Sequence, residues 1–229
     1  MLNKRNKVST YLLTILLLAF IVRFLLAYNF YAIWYGDQLY QTLEPAHRLV
    51  FNRGFLALEW DSGIRSWLYP SFLAAIMKLC SYVSMSPRFY INIISIIMIL
   101  FSLLPVYVTY CLVSRLVSNF DAKKLPPKYA FLAAFLPAFG YTAVLYSYLT
   151  LNGMLPAYLF ILNIYLIILY LDDSEVIRNR GLWLFWIGFI FGIIGVLRFH
   201  LLPEVGFAML YCCRKDFKQS FKWMLFGFL

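Results

Sequence analysis

From Val8 to Phe30 the chain runs through Leu16, Leu17, Leu18, Phe20 and Ile21 with no acidic residue and a single arginine, Arg23. About 20 consecutive apolar residues span the hydrocarbon of a bilayer. Signal-peptide cores are shorter, about 7–15 residues, and end at a small-residue cleavage site. No such site follows here, so the run is expected to stay as a signal-anchor helix. Lys4, Arg5 and Lys7 precede it and predict a cytoplasmic N-terminus.

Further apolar runs cover 67–84, 89–116, 129–149, 154–171, 182–199 and 201–213, and Trp223–Leu229 begins another. The composition agrees: 63% of the residues are hydrophobic and only 13% charged. A soluble domain carries about 25% charged residues, so a soluble enzyme, a disordered tail and a secreted disulfide module are all excluded. The net charge of +10 sits mostly in short basic runs between apolar segments. That pattern marks loops facing anionic lipid and not a nucleic-acid surface. Cys80, Cys111, Cys212 and Cys213 lie within or at the ends of apolar runs with no CxxC among them. They suggest neither a metal site nor a disulfide framework. The expected class is an all-α polytopic membrane protein, residues 1–229 forming a single transmembrane module.

Orientation follows from the basic residues. If every run crossed, Lys123, Lys124 and Lys128 would face outward, and so would Arg178 and Arg180. If 67–84 instead lies in the interface or re-enters the outer leaflet, every basic loop falls in the cytoplasm, including Arg214 to Lys222. One change repairs all the loops. In that register the first outer loop (31–66), the tip from Ser147 to Gly153 and the segment Arg198–His200 share the outer face.

The first outer loop is dense in ionisable groups: Asp37, Glu44, His47, Arg48, Arg53, Glu59, Asp61 and Arg65. Leu39 to Arg53 reads as an amphipathic helix with Leu39, Leu43, Ala46, Leu49 and Val50 on one side and Gly54 as its C-cap. An acidic group at such a surface can take a proton from a sugar hydroxyl, and arginines can hold a lipid-linked phosphate. The plainer reading is a solvated loop whose charges pair among themselves. His47 then caps or pairs locally, Asn152 satisfies a turn, and His200 makes a helix-end hydrogen bond.

The run Asp37-Gln-Leu-Tyr-Gln-Thr-Leu-Glu-Pro-Ala-His-Arg-Leu-Val-Phe51, followed by Gly54-Phe55, Glu59-Trp60 and Gly63-Ile-Arg-Ser-Trp67, resembles the first lumenal loop of one family. This is the multi-spanning mannosyltransferase family of the Alg9/Alg12 and GPI mannosyltransferase type, glycosyltransferase family 22. Thr150-Leu151-Asn152 resembles its second outer-loop motif and Arg198-Phe199 its later Arg-aromatic pair. Arg23 falls where relatives place an arginine.

The resemblance implies a GT-C-type membrane glycosyltransferase working on the lumenal or periplasmic face of the ER or bacterial inner membrane. It would move mannose from a dolichyl- or polyprenyl-phosphate donor to a lipid-linked glycan, with no metal or other cofactor. Asp37 carries over as catalytic base. Arg198, with Arg65 or Arg23, carries over to the leaving lipid phosphate. Glu44, His47, Gln41, Glu59, Asn152 and His200 carry over as substrate contacts. The family's His-Pro-Asp-Glu stands here as Tyr35-Gly36-Asp37-Gln38, so the second acid is an uncharged glutamine. Relatives are longer, which reads as an N-terminal half: a split gene with a second chain supplying the remainder, a frameshifted remnant or a fragment. Two readings from other classes stand beside the enzyme, a polytopic transporter and a non-catalytic membrane scaffold.

Overall fold

The structure, a computed structural model, describes residues 2–30, 33, 35–120, 128–172, 179–214 and 217–229, with the backbone alone for 2–9 and 116–120. Lys123, Lys124, Arg178 and Lys215, on which the expected orientation partly rests, lie outside the described residues, as do the side chains of Lys4, Arg5 and Lys7. In chain order the helices are α1 (Leu2–Asn29), α2 (Gly36–Gln38), a π-helical turn (Leu39–Leu43), α3 (Glu44–Phe51), α4 (Leu58–Asp61), α5 (Leu68–Ser81), α6 (Pro87–Ser102) and α7 (Leu104–Phe120). Then come α8 (Lys128–Phe139), α9 (Tyr141–Leu145), α10 (Met154–Leu171), α11 (Arg180–Leu197), a 3-10 turn (Phe199–Leu201), α12 (Leu202–Cys212) and α13 (Phe217–Phe228). No strand occurs among the described residues. The protein is an all-α polytopic membrane protein.

Four segments among the described residues are long and apolar enough to cross a bilayer: Thr10–Asn29, Pro87–Arg115, Met154–Leu171 and Arg180–Leu197. Most exposed side chains of α1, such as Leu13, Leu17, Ile21 and Leu25, are apolar, as suits a surface facing lipid, and the exposed Thr14 hydroxyl donates to the Thr10 carbonyl of its own helix. α5 has 14 residues, about 21 Å at 1.5 Å per residue, against a hydrocarbon thickness of about 30 Å.

Prolines break two of the expected runs. The run 89–116 is divided at Leu103, between α6 and α7, because Pro105 in the first turn of α7 has no amide to continue the ladder from α6. The expected crossing over 129–149 is likewise not one helix. α8 carries Pro137 in its last turn, Gly140 adopts an extended ψ of 135°, and α9 resumes beyond it.

The chain divides into two compact units, Met1–Met154 and Leu155–Leu229. In the first, Ile15, Ala19 and Arg23 repeat every four residues along one stripe of α1 and are all buried. Ile15 and Ala19 pack with Val106 and Tyr110 of α7 and with Ala130, Ala134 and Ala138 of α8. The alanine stripe lets the helices approach closely, which is how helices gain packing energy where burial from water is not available. Arg23, only 1% exposed, donates from Nη2 to the Pro137 carbonyl at 2.7 Å. That oxygen belongs to the last turn of α8, where carbonyls lack intrahelical donors and the helix dipole favours a cation.

The second unit is built around Ile167, Leu184, Ile187, Phe191, Ile194, Val205, Cys212, Cys213 and Met224, all buried. Polar bonds cross between its helices. Asn163 Nδ2 donates to the Ile187 carbonyl at 2.9 Å, Trp183 Nε1 to the Leu166 carbonyl at 3.2 Å, and the Tyr170 and Ser220 hydroxyls lie 3.1 Å apart. α11 and α13 touch backbone to backbone at Gly188, Gly192 and Gly227.

Candidate functional site

After α1 the chain enters the charged loop, and Gly36 to Phe51 winds as one helical stretch interrupted by the π turn at Leu39–Leu43. A π turn inserts an extra residue and rotates everything beyond it about the helix axis. The buried face is therefore not the one an uninterrupted helix presents. Gln38, Thr42, Leu43, Pro45 and Ala46 are buried, while Leu49 is 50% exposed. The helix ends on Asn52, whose left-handed φ of 54° makes it the C-cap. Gly54, expected in that role, instead passes against Glu44 with a φ of +144°.

Side-chain bonds close this loop on itself. Glu44 Oε2 accepts the Phe55 amide at 2.9 Å. His47 Nδ1 donates to the Arg53 carbonyl at 2.7 Å, its ring 4.6 Å from that of Phe51. Arg48 Nη1 donates to the Gly54 carbonyl at 3.2 Å. Arg65 contacts Glu59 Oε2 through Nη2 at 2.9 Å and Nε at 3.0 Å. The Trp60 indole donates to the Tyr40 carbonyl at 3.1 Å and packs 4.5 Å from the Trp67 ring. Glu44, His47, Glu59 and Arg65 thus all make contacts that hold the loop.

Glycine is required at position 54. A Cβ there would lie 2.9 Å from Glu44 Oε2 and 3.0 Å from the Glu44 carbonyl oxygen, on a backbone that L-residues avoid. Gly54→Ala is expected to weaken the loop by about 1–3 kcal/mol. Limited proteolysis of the whole chain in detergent should cut within 52–66 faster than in the parent. Equal cleavage rates would show that the close approach is not a constraint.

The loop meets the segment around Thr150 through a buried hydroxyl pair. The Thr42 hydroxyl donates to the Gln38 carbonyl and lies 3.1 Å from the Thr150 hydroxyl. This fixes the start of the loop helix against the turn that contains Leu151 and Asn152. Between the two segments opens a cavity of about 490 Å³, lined by Tyr35, Gly36, Asp37, Tyr146, Leu151 and Met154. Small-molecule sites run to roughly 300–1,000 Å³.

Asp37 is exposed to this cavity. Gln41 Nε2 donates to its Oδ1 at 2.9 Å, one turn along the same helix, which holds the carboxylate in one orientation while Oδ2 keeps no partner among the described residues. Tyr35 and Tyr146 face one another with hydroxyls 3.2 Å apart. The hydrogen bond shared with Tyr146, with smaller contributions from desolvation and neighbouring phenols, raises the Tyr35 pKa above the ordinary phenol value. The arrangement offers one carboxylate acceptor, two phenol hydroxyls and an apolar floor of Leu151 and Met154.

Asp37 and Gln41 thus come together at one cavity, with Asn152 buried in the adjoining turn. Arg23 belongs to the same unit but bonds the end of α8. In the other unit, Arg198 is the C-cap of α11, its amide bonded to the Ile194 carbonyl at 2.8 Å, and His200 is exposed in the 3-10 turn that follows. Sequence reasoning passed over Tyr35, Tyr146 and Thr42. Tyr146 stands one residue before the outer tip that the charge pattern had marked, and that proximity was the available signal. Gln38, in place of the family's second acid, is 5% exposed, a position where an unpaired carboxylate would be costly to bury.

The sequence profile of the Alg9-like mannosyltransferase family matches residues 14–229. GPI mannosyltransferase 3 of Debaryomyces hansenii is 36% identical over 69 residues, 30% of this chain and 13% of that protein. GPI mannosyltransferase 3 of Schizosaccharomyces pombe is 38% identical over 55 residues, 24% of this chain and 11% of that protein. GPI alpha-1,2-mannosyltransferase 3 of Bos taurus is 46% identical over 43 residues, 19% of this chain and 8% of that protein. These matches cover a small part of each relative's length. No solved structure matches.

Proposed function

Because the chain belongs to the Alg9-like mannosyltransferase family, we propose that it transfers mannose from a polyprenyl- or dolichyl-phosphate carrier to a lipid-linked glycan. The single observation that carries the reading is the Asp37 carboxylate, oriented by Gln41 and facing a cavity of small-molecule size at the head of the first loop. The transfer is an inverting displacement. An acceptor hydroxyl gives its proton to Asp37 as its oxygen attacks the anomeric carbon. The bond from that carbon to the phosphate oxygen breaks, and the lipid phosphate leaves. Proton transfer of this kind contributes about 10²–10⁴-fold to a rate. By resemblance alone, Arg198 is assigned to the leaving lipid phosphate and His200 to a substrate contact.

The proposed orientation puts the N-terminus in the cytoplasm and residues 31–66 on the lumenal or periplasmic face. It leaves α5 in the interface and lets 128–145 cross as a helix bent at Gly140. Membership of this family does not favour the transporter or scaffold readings. Reconstitution of the whole chain in vesicles, with radiolabelled mannose on polyprenyl phosphate and a lipid-linked glycan outside, tests the proposal. Label should appear in the glycan without any nucleotide sugar. Label that stays on the carrier across a panel of acceptors sinks the transferase reading.

A further inference from the structure

The cavity beside Asp37 has an uneven chemistry. Among the described residues that line it, Asp37 is the one carboxylate and there is no lysine or arginine. A phosphate placed there would meet a like charge and no cation among those lining residues. A neutral, hydroxyl-rich molecule meets complementary groups. The Tyr35 and Tyr146 oxygens lie 3.2 Å apart, with ring centroids 6.0 Å apart and planes tilted by 42°. The bond between them uses one of the two hydroxyl protons. The other proton, and lone pairs on both oxygens, remain available, so the pair can donate to one hydroxyl and accept from its neighbour. Leu151 and Met154 provide the apolar surface on which the C–H face of a pyranose packs.

We propose that this cavity is the subsite for the acceptor sugar, with the Tyr35–Tyr146 pair as the positioning element that holds two adjacent hydroxyls so that one of them points at Asp37. The proposal rests on the transferase reading and adds to it which substrate enters here: the neutral acceptor and not the donor phosphate. The phenols position and Asp37 takes the proton. The hydrogen bond shared with Tyr146 raises the Tyr35 pKa further above the ordinary phenol range, and the base assigned here is Asp37. The pair also joins residues 111 positions apart in the chain, so it holds both walls of the cavity at a fixed separation.

Two measurements on the whole chain in nanodiscs test this. In the transfer assay, Tyr146→Phe and Tyr35→Phe each remove a hydroxyl while keeping the ring. Each should raise the acceptor KM about tenfold, at the upper end of what one neutral hydrogen bond is worth, with donor KM unchanged and kcat within about threefold. Tyr35→His, which restores a ring donor and acceptor, should recover part of the loss. A rise in donor KM instead, or a fall in kcat with acceptor KM unmoved, overturns the proposal.

The second measurement needs no turnover. Methyl α-mannoside, followed by ligand-observed NMR, should bind the parent chain and bind Tyr146→Phe about tenfold more weakly. Inorganic phosphate should not compete with it. Mannoside binding of this pattern in a chain that fails to transfer mannose would sink the transferase reading and leave the sugar subsite standing. No mannoside binding by the parent, or displacement by phosphate, overturns the subsite.

Discussion

Asp37→Asn leaves the chain folded and lowers the rate of mannosyl transfer about a thousandfold, with acceptor KM nearly unchanged. The substitution is nearly isosteric, and its side-chain oxygen can still accept from Gln41 Nε2, which in the parent lies 2.9 Å from Oδ1. Helix geometry at the head of the loop is therefore kept. What disappears is the ability to take a proton, because an amide oxygen is far too weak a base. A thousandfold is about 4 kcal/mol of transition-state stabilisation, within the range expected of general-base catalysis. Gln41→Ala, which frees the carboxylate to rotate, should cost much less, about tenfold, because the base is still present but no longer held. Rates under saturating donor and acceptor decide the matter. A kcat for Asp37→Asn within about fivefold of the parent means that some other group takes the proton. The whole assignment of the cavity would then have to move.

The parts of the fold that were legible in the sequence are those set by local, additive physics. A run such as Val8–Phe30 declares a membrane helix through its length alone. The extents of α10 and α11 follow from the same criterion, whereas the run 67–84, equally long in the sequence, was set apart only by the basic residues of the loops around it and forms the 14-residue α5. The breaks at Leu103 and Gly140 were written in Pro105, Pro137 and Gly140 but were read through, because in a bilayer prolines are often tolerated within a helix. The π turn at Leu39–Leu43 was not legible. Its i→i+5 pattern depends on where Thr42 must sit to reach Thr150, a residue 108 positions away, and no local preference encodes that.

The site was legible to the same degree. Asp37 stood out as an acid at the mouth of an outer loop, and Gln41 followed by resemblance. Glu44, His47 and Glu59 shared the same motif, yet their side chains bond the loop's own backbone or, for Glu59, Arg65. A motif match does not separate residues that touch a substrate from residues that shape the loop, because both kinds recur together. Tyr35 and Tyr146 were two among 18 tyrosines, and nothing short of the tertiary fold singles out that pair.

Gly188→Val is expected to break the second unit open. A Cβ on Gly188 would lie 2.0 Å from the Met224 carbonyl oxygen and 2.8 Å from the Met224 Cα. The obstruction is backbone and has no rotamer to escape into. The contact is reciprocated, since a Cβ on Gly227 would lie 2.1 Å from the Phe185 carbonyl, and one on Gly192 2.6 Å from that of Phe228. Three glycines on two helices therefore let α11 and α13 meet at backbone distance, where van der Waals and Cα–H···O contacts substitute for burial from water. A valine forces the helices apart and takes with it the packing of Met224 on Leu184 and Ile187. Overpacking of a well-filled core usually costs about 1–3 kcal/mol. Here the neighbour cannot yield, so the cost falls at or beyond the top of that range.

Cys212 and Cys213, buried in the same cluster at 0% and 1% exposure, report the change directly. In a background carrying Cys80→Ser and Cys111→Ser, a maleimide should label the parent slowly and Gly188→Val at least ten times faster. Gly206→Ala is the control, because its Cβ meets nothing within 4 Å, and it should label like the parent. If Gly188→Val labels no faster than Gly206→Ala, the close approach of α11 and α13 is not what holds this unit together.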